Sequence, residues 1–345
     1  MKFSRILSLS LAVASLATFS SCRKELCYNH FRTASVSLDW EQEWERDYGM
    51  NHLSTWDHSL HGFSYESLRP DMPSWVTMVR YTGGGNPYEF YMPVNGDDVN
   101  VGEGSDHSLL FYNNDTEYIV LSDMASVPQA RATTSSRSRA SLATMESRYP
   151  AFRSANPPDV LYAAYLEKAP EINIHEVKPL KVKMQPLVYT YVIRYEFDYG
   201  QQHISLARGA LAGMAESVYL VNGVTSEDGA IVLYDCDVTT WGVEAHVRTF
   251  GVPGFPDEFY GRSSNSVSRA ERPYTLNLEV RLRNGKTLEW DFDIADQIAK
   301  QPRGGVIRVS GIHIDDSENR FDSGFDITVD DWGDEADIEL PMDRH

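Results

Sequence analysis

Three cysteines among 345 residues are too few to staple a chain of this size. Its stability must come from packing and not from a disulfide framework. Positive charge is also scarce, with 31 Lys and Arg against 50 Asp and Glu and a net charge of −19. A surface this acidic cannot neutralise nucleic-acid phosphates, which excludes DNA or RNA as a partner. Beyond the first twenty residues the apolar runs are short, and none approaches the roughly 20 residues of a spanning helix. Long stretches of Ala, Leu, Glu and Lys are missing, whereas 19 Tyr, 14 Phe and 7 Trp are present. That balance predicts an all-β protein with short helical turns only.

The amino terminus carries an export signal. Lys2 and Arg5 make a basic start, and Ile6 to Phe19 form an apolar run interrupted by Ser and Thr. Phe19-Ser20-Ser21-Cys22 then reads as a bacterial lipobox, with Phe where Leu is usual. Residues 1–21 are therefore expected to be a lipoprotein signal peptide, Cys22 the lipid attachment site, and residues 22–30 a lipidated tether. The alternative is a plain secreted protein in which Cys22 is incidental. At about 0.8 kcal/mol per buried methylene, several acyl chains hold a protein on a membrane almost permanently. With Cys22 acylated, Cys27 and Cys236 remain. Cys236 shares a strand face with Val232, Tyr234 and Val238, which reads as a buried inert thiol. A Cys27 to Cys236 bridge is the other reading.

Alternation predicts strands at Ala34 to Trp40, Trp75 to Tyr81, Tyr88 to Val94, Ser108 to Tyr112 and Glu117 to Leu121. Gly83-Gly84-Gly85 and Asn95-Gly96 are turns between them. Ala125 to Ala155 breaks the pattern. It is rich in Ser, Ala and Arg and is expected to be an exposed loop, the easiest target for a trypsin-like protease. Extended segments resume at Val160 to Leu166, Ile172 to Met184 and Leu187 to Asp198, and Leu206 to Ala215 is small and Gly-rich. Tyr274 to Arg283 and Lys286 to Phe292 flank Asn284-Gly285, a type I′ hairpin signal. A short helix at Ile294 to Lys300 and strands at Val306 to Ser310 and Phe325 to Val329 follow, with Ile338 to Leu340 near the end. The expected domains are an N-terminal β-sandwich over 31–160, containing the 125–155 loop, and a C-terminal β-sandwich over 161–345.

Chemistry-bearing clusters are weak. His52, Asp57, His58 and His61 lie close together without metal-ligand spacing. Asp315 to Asn319 and Asp330 to Asp337 lack the spacing of a calcium loop. No Gly-x-Ser-x-Gly elbow occurs, and no cysteine is set among helix and His signals. The sequence points to no catalytic residue, no metal and no cofactor, hence to a protein that is not an enzyme. Trp56, Trp75 and Trp241 are candidates for stacking on sugar faces if the protein is a solitary glycan-binding lipoprotein.

Three segments carry a family resemblance: Leu206 to Val218, Asp291 to Ile298, and Gly324 to Trp332. With the lipobox and Cys27-Tyr28-Asn29-His30, they resemble the fimbrillin-like outer-membrane lipoproteins of Gram-negative anaerobes, the type V pilin superfamily. The resemblance implies two tandem β-sandwich domains of transthyretin-like topology, lipid-anchored on the outer membrane and facing the exterior. It also implies partners: fimbrial subunits joined by strand addition, and a host protein or glycan. Polymerising members lose a first strand after cleavage at an arginine. Here Ala34 to Trp40 would be that strand, and Arg46 or Arg32 the processing site. The chain end after Met342 shows no long donor-like alternation, so an anchor or accessory subunit is expected over a bulk stalk subunit.

Overall fold

The computed structural model describes residues 32–41, 56, 58–68, 72–83, 86–102, 106–173, 176–255, 273–320 and the short strand at 337–338. Cys22, Cys27, Arg46 and Phe325 to Val329 lie outside them. The chain is all-β, built on two large curled sheets.

The first sheet has seven strands. In chain order they are β1 (Thr33–Trp40), β2 (Trp75–Thr82), β3 (Tyr88–Pro93), β4 (Asp98–Asn100), β5 (His107–Asn113), and, after an excursion, β10 (Tyr162–Leu166) and β11 (Val177–Pro186). Their spatial order is β3-β2-β5-β10-β11-β1-β4. Every neighbouring pair in this order is antiparallel except β11 and β1, which run parallel. The sheet curls round one core, in which Ala34, Val36, Met78, Phe111, Tyr162 and Met184 meet.

The excursion holds β6 (Ile119–Ser122), β7 (Arg131–Thr134), β8 (Ser136–Arg137), a helix at Ala143–Arg148 and β9 (Arg153–Ala155). The second sheet then follows as β12 (Tyr189–Tyr199), β13 (Ile204–Ala215), β15 (Gly229–Val238), β16 (Gly242–Thr249), β17 (Thr275–Leu282), β18 (Thr287–Asp293) and β19 (Gly305–His313). Its order is β18-β17-β13-β15-β16-β12-β19, with β9 pairing β15, β8 pairing β9, and β20 (Asp337–Ile338) pairing β8. The short β14 (Val218–Tyr219) joins β7 and β6 in a third, three-stranded sheet. Val79, Leu110 and Ala163 on the outer face of the first sheet pack against Leu187, Val188, Ala215 and Phe250, so an apolar layer joins the two units.

Three sequence expectations need correction. Strands β10 and β11 pair with β5 and β1, so the first sheet runs to Pro186 and not to residue 160. Segment 125–155 is no exposed loop. Its β7 and β9 are hydrogen-bonded strands, and Leu142, Met145 and Tyr149 pack over Ala210, Ala212, Ile231 and Leu233. This explains the small residues of β13. Ala is a poor strand former, but the short side chains of Ala210 and Ala212 leave room for the helix laid across them, whereas Gly209 faces the inner core. A Cβ on Gly209 would stand 2.3 Å from the Tyr234 ring.

Arg139 pins the cover. Its side chain is 5% exposed, and Nη2 donates to the Gly209 carbonyl at 2.8 Å. Burial, then the neighbouring Arg208, lowers its pKa to about 10, still charged at neutral pH. Arg208 itself is bridged to Glu279 at 2.9 Å, and Ser141 donates to the same carboxylate.

The β17–β18 hairpin forms as expected, but its turn differs. Gly285 alone takes positive φ (86°), so the loop is a three-residue turn with Gly in the left-handed position and not type I′. Asn284 instead uses its amide, accepting from Lys286 N–H and donating to the Glu318 and Arg320 carbonyls.

Limited trypsin digestion should leave the Arg139–Ala140 bond intact in the native protein; early cleavage there would contradict the docked geometry. Arg139→Ala should cost about 2–4 kcal/mol, because it opens a cavity and strips a buried donor. A denaturant midpoint measures it.

Candidate functional site

Strand β1 is the part of the fold whose placement is least explained by its neighbours in sequence. Ala34, Val36, Leu38 and Trp40 alternate with Ser35, Ser37 and Asp39, and the pleat sends the first set inward. Ala34 and Val36 are buried, while Leu38 and Trp40 pack partly buried against the same core. Along one side all eight residues pair in parallel with Val177 to Met184. Along the other, among the described residues, Thr33 to Ser35 pair with the three-residue β4, and Val36 N–H donates to the Asp97 carbonyl at 2.9 Å.

The end of β1 is held by its aromatic residue. Trp40 Nε1 donates to the Val94 carbonyl at 3.3 Å, and its ring meets Tyr162 edge-on at 5.0 Å. Gly96 closes the remaining gap. At φ 92° its α-carbon faces β1 so tightly that a Cβ would lie 2.0 Å from the Val36 carbonyl. Arg32 lies immediately before the strand, and its carbonyl accepts from Val101 N–H at 3.1 Å.

Chemically this is a slot for an extended segment. β11 offers a ladder of backbone donors and acceptors, and the core offers alternate pockets sized for a small residue, a β-branched one and larger apolar ones. The strand was legible from its alternation. Its parallel partner, some 140 positions away, left no local signal.

The three tryptophans differ. Trp56 is half-buried, donates to the Phe63 carbonyl at 2.8 Å and packs on Phe63 and Tyr65. Trp241 lies under Arg194, whose guanidinium carbon sits 3.8 Å from the ring centre. Trp75, at 54% exposure, faces solvent.

Cys236 is a free thiol whose pKa burial pushes up, in keeping with an unreactive role. His58 is exposed, whereas His52, Asp57 and the His61 side chain lie outside the description; among the described residues no group of three or more potential ligands converges. Asp316 accepts from Tyr199 Oη and pairs with His203 Nε2 at 2.8 Å, which holds its pKa below the usual range. A cavity of about 210 Å³ is lined by Asn113, Asp115, Asp159 and Arg248. Its carboxylates are occupied: Asp159 Oδ2 accepts the backbone N–H groups of Glu117, Tyr118 and Ile119, and Asp115 accepts that of Ser74. No helix among the described residues is long and apolar enough to cross a membrane.

Two curled sheets, the first holding an amino-terminal strand in a slot, define a two-unit all-β architecture. Residues 63–235, half of the chain, match the model of a domain of unknown function, DUF5119, and the chain belongs to that family. No curated protein matches the sequence. Among solved structures, a Bacteroides ovatus protein described as a "putative adhesin" is 16% identical, with a TM-score of 0.55 over 84% of this chain and 96% of that one. It shares the fold. The fimbrial anchor protein Mfa2 from Porphyromonas gingivalis is 9% identical, with a TM-score of 0.45 over 84% of this chain and 94% of its own.

The alternation of β1 predicts unequal effects at adjacent positions. Val36→Asp places an unpartnered carboxylate in the core and should cost several kcal/mol, whereas Ser37→Asp, on the exposed face, should stay within about 0.5 kcal/mol. Thermal melts of the two variants compare them; equal effects would refute the inward register.

Proposed function

We propose that this chain is a non-enzymatic surface lipoprotein acting as an anchor or accessory subunit of a fimbria, joined to its partner by strand complementation. The observation that carries the reading is the situation of β1. It comes from the amino-terminal end, lies next to last in its sheet, and fills the core with alternate side chains. A strand held this way can be exchanged for another of the same alternation, since backbone bonds give affinity and buried positions give register. The fold shared with the Bacteroides ovatus protein described as an adhesin supports a surface role.

In this reading Cys22 carries the lipid, residues 22–30 form the tether, and the outer membrane holds the chain with its β units facing the exterior. The two processing candidates have opposite consequences. A cut after Arg46 falls beyond Trp40 and frees β1 to leave. A cut after Arg32 removes the tether but leaves β1 in its slot, because the strand begins at Thr33. Only the first opens the groove. An anchor would keep both lipid and strand and give its partner a different edge.

An immunoblot of native outer membranes, unboiled against boiled, tests this. A detergent-resistant complex that collapses on heating to a band of full mature length is the expected outcome for an anchor. A band shortened by the first strand would move the chain among polymerising subunits. One identical band in both lanes would refute strand complementation.

A further inference from the structure

The first sheet ends in a strip that the core does not cover. On the inner face of β3, Phe90 and Met92 join the sheet's own core. On its outer face Glu89, Tyr91 and Pro93 are all exposed. The outer face of β2 is buried by the apolar layer at Val79 and Tyr81, but that layer stops short of Trp75. Trp75 stands opposite Pro93, and Thr77 opposite Tyr91, so the Trp75 and Tyr91 rings are diagonal neighbours on one face. They are 54% and 59% exposed. Beside them the Tyr91 hydroxyl donates to Glu89 Oε2 at 3.0 Å, which keeps its pKa raised. Tyr88, exposed as well, points to the opposite face, where it stacks with Arg80.

We propose that this strip, Trp75, Tyr91 and Glu89, binds a neutral glycan. Flat rings side by side on a rigid sheet present the surface that the apolar faces of pyranose sugars stack on. The Glu89 carboxylate and the Tyr91 phenol oxygen, whose proton Glu89 holds, supply acceptors for sugar hydroxyls. The half-exposed rings offer roughly 200 Å². A stable protein partner needs about 800 Å² per side, so the strip is too small for one and fits a segment of a sugar chain. The net charge of −19 and the Glu89 carboxylate disfavour polyanionic ligands. The strip lies on the outer face of β2 and β3, whereas β1 fills the inner core, so the residues that bind here are not those of the slot.

The test is native affinity electrophoresis of the full mature chain in gels containing dextran, xylan, mannan or laminarin, with a heparin gel as the anionic comparison. Retardation in at least one neutral gel and none in heparin is expected. Trp75→Ala and Tyr91→Ala should each weaken it at least tenfold with unchanged melting temperature, while Tyr88→Ala on the opposite face should leave it intact. Three results would overturn the proposal: no retardation in any neutral gel, retardation that survives both substitutions, or concentration-dependent self-association that Trp75→Ala abolishes, which would make the strip a contact between copies of this chain.

Discussion

The first sheet closes on a single parallel ladder, Thr33 to Trp40 against Val177 to Met184. Without β1, the buried side chains of β11 and β4, Val182, Met184 and Val99, would lose the layer that shields them. Burying Val36 with the partly covered Leu38 and Trp40 contributes on the order of 5 kcal/mol, a large share of the net stability of any domain. The core thus depends on the strand nearest the amino-terminal end, held on one side for its full length and on the other by three paired residues and the Val36 N–H.

The second sheet solves a different problem. Its central strand β13 is flanked on both sides and covered on its outer face by the segment from Arg139 to Phe152. Polar groups fix that cover: Arg139 on the Gly209 carbonyl, Ser141 and Arg208 on Glu279, and Tyr149 on Thr275. Inside, the hydroxyls of Tyr195 and Tyr234 meet at 2.9 Å, and Tyr195 donates to the Asn277 carbonyl. Buried phenols with partners specify one arrangement where an all-aliphatic core would tolerate several. The rigid sheet and the apolar layer at Phe250 and Leu187 therefore give the first unit a fixed base.

Much of the fold was legible because it rests on local pattern. β1 and β18 alternate in burial, whereas β2, β5, β12 and β17 are covered on both faces and are legible from their dense β-branched and aromatic residues and the Asn284-Gly285 turn. Segment 125–155 was misread because Ser, Ala and Arg give no apolar signal, and its docking depends on guanidinium and hydroxyl contacts to residues up to 138 positions away. Sheet membership of β10 and β11 was equally invisible, since nothing local distinguishes a strand that returns to the first sheet from one that opens the second. At the site, Trp75 and β1 were found by residue type and alternation, but Tyr91 and Glu89 join Trp75 only through the β2–β3 register. Trp56 and Trp241 looked the same in sequence and are committed to Phe63 and Arg194 instead.

The central claim is that β1 is a separable strand in a reusable slot. A specific protease site inserted between Glu41 and Met50 would let β1 be cut from the folded chain, after which a labelled peptide with the sequence of residues 33–40 competes for its place. The account predicts that the cut protein stays folded and takes up the labelled peptide, and that a peptide with Val36 and Ser37 exchanged fails to enter. Unfolding on cleavage, or equal uptake of both peptides, would contradict it.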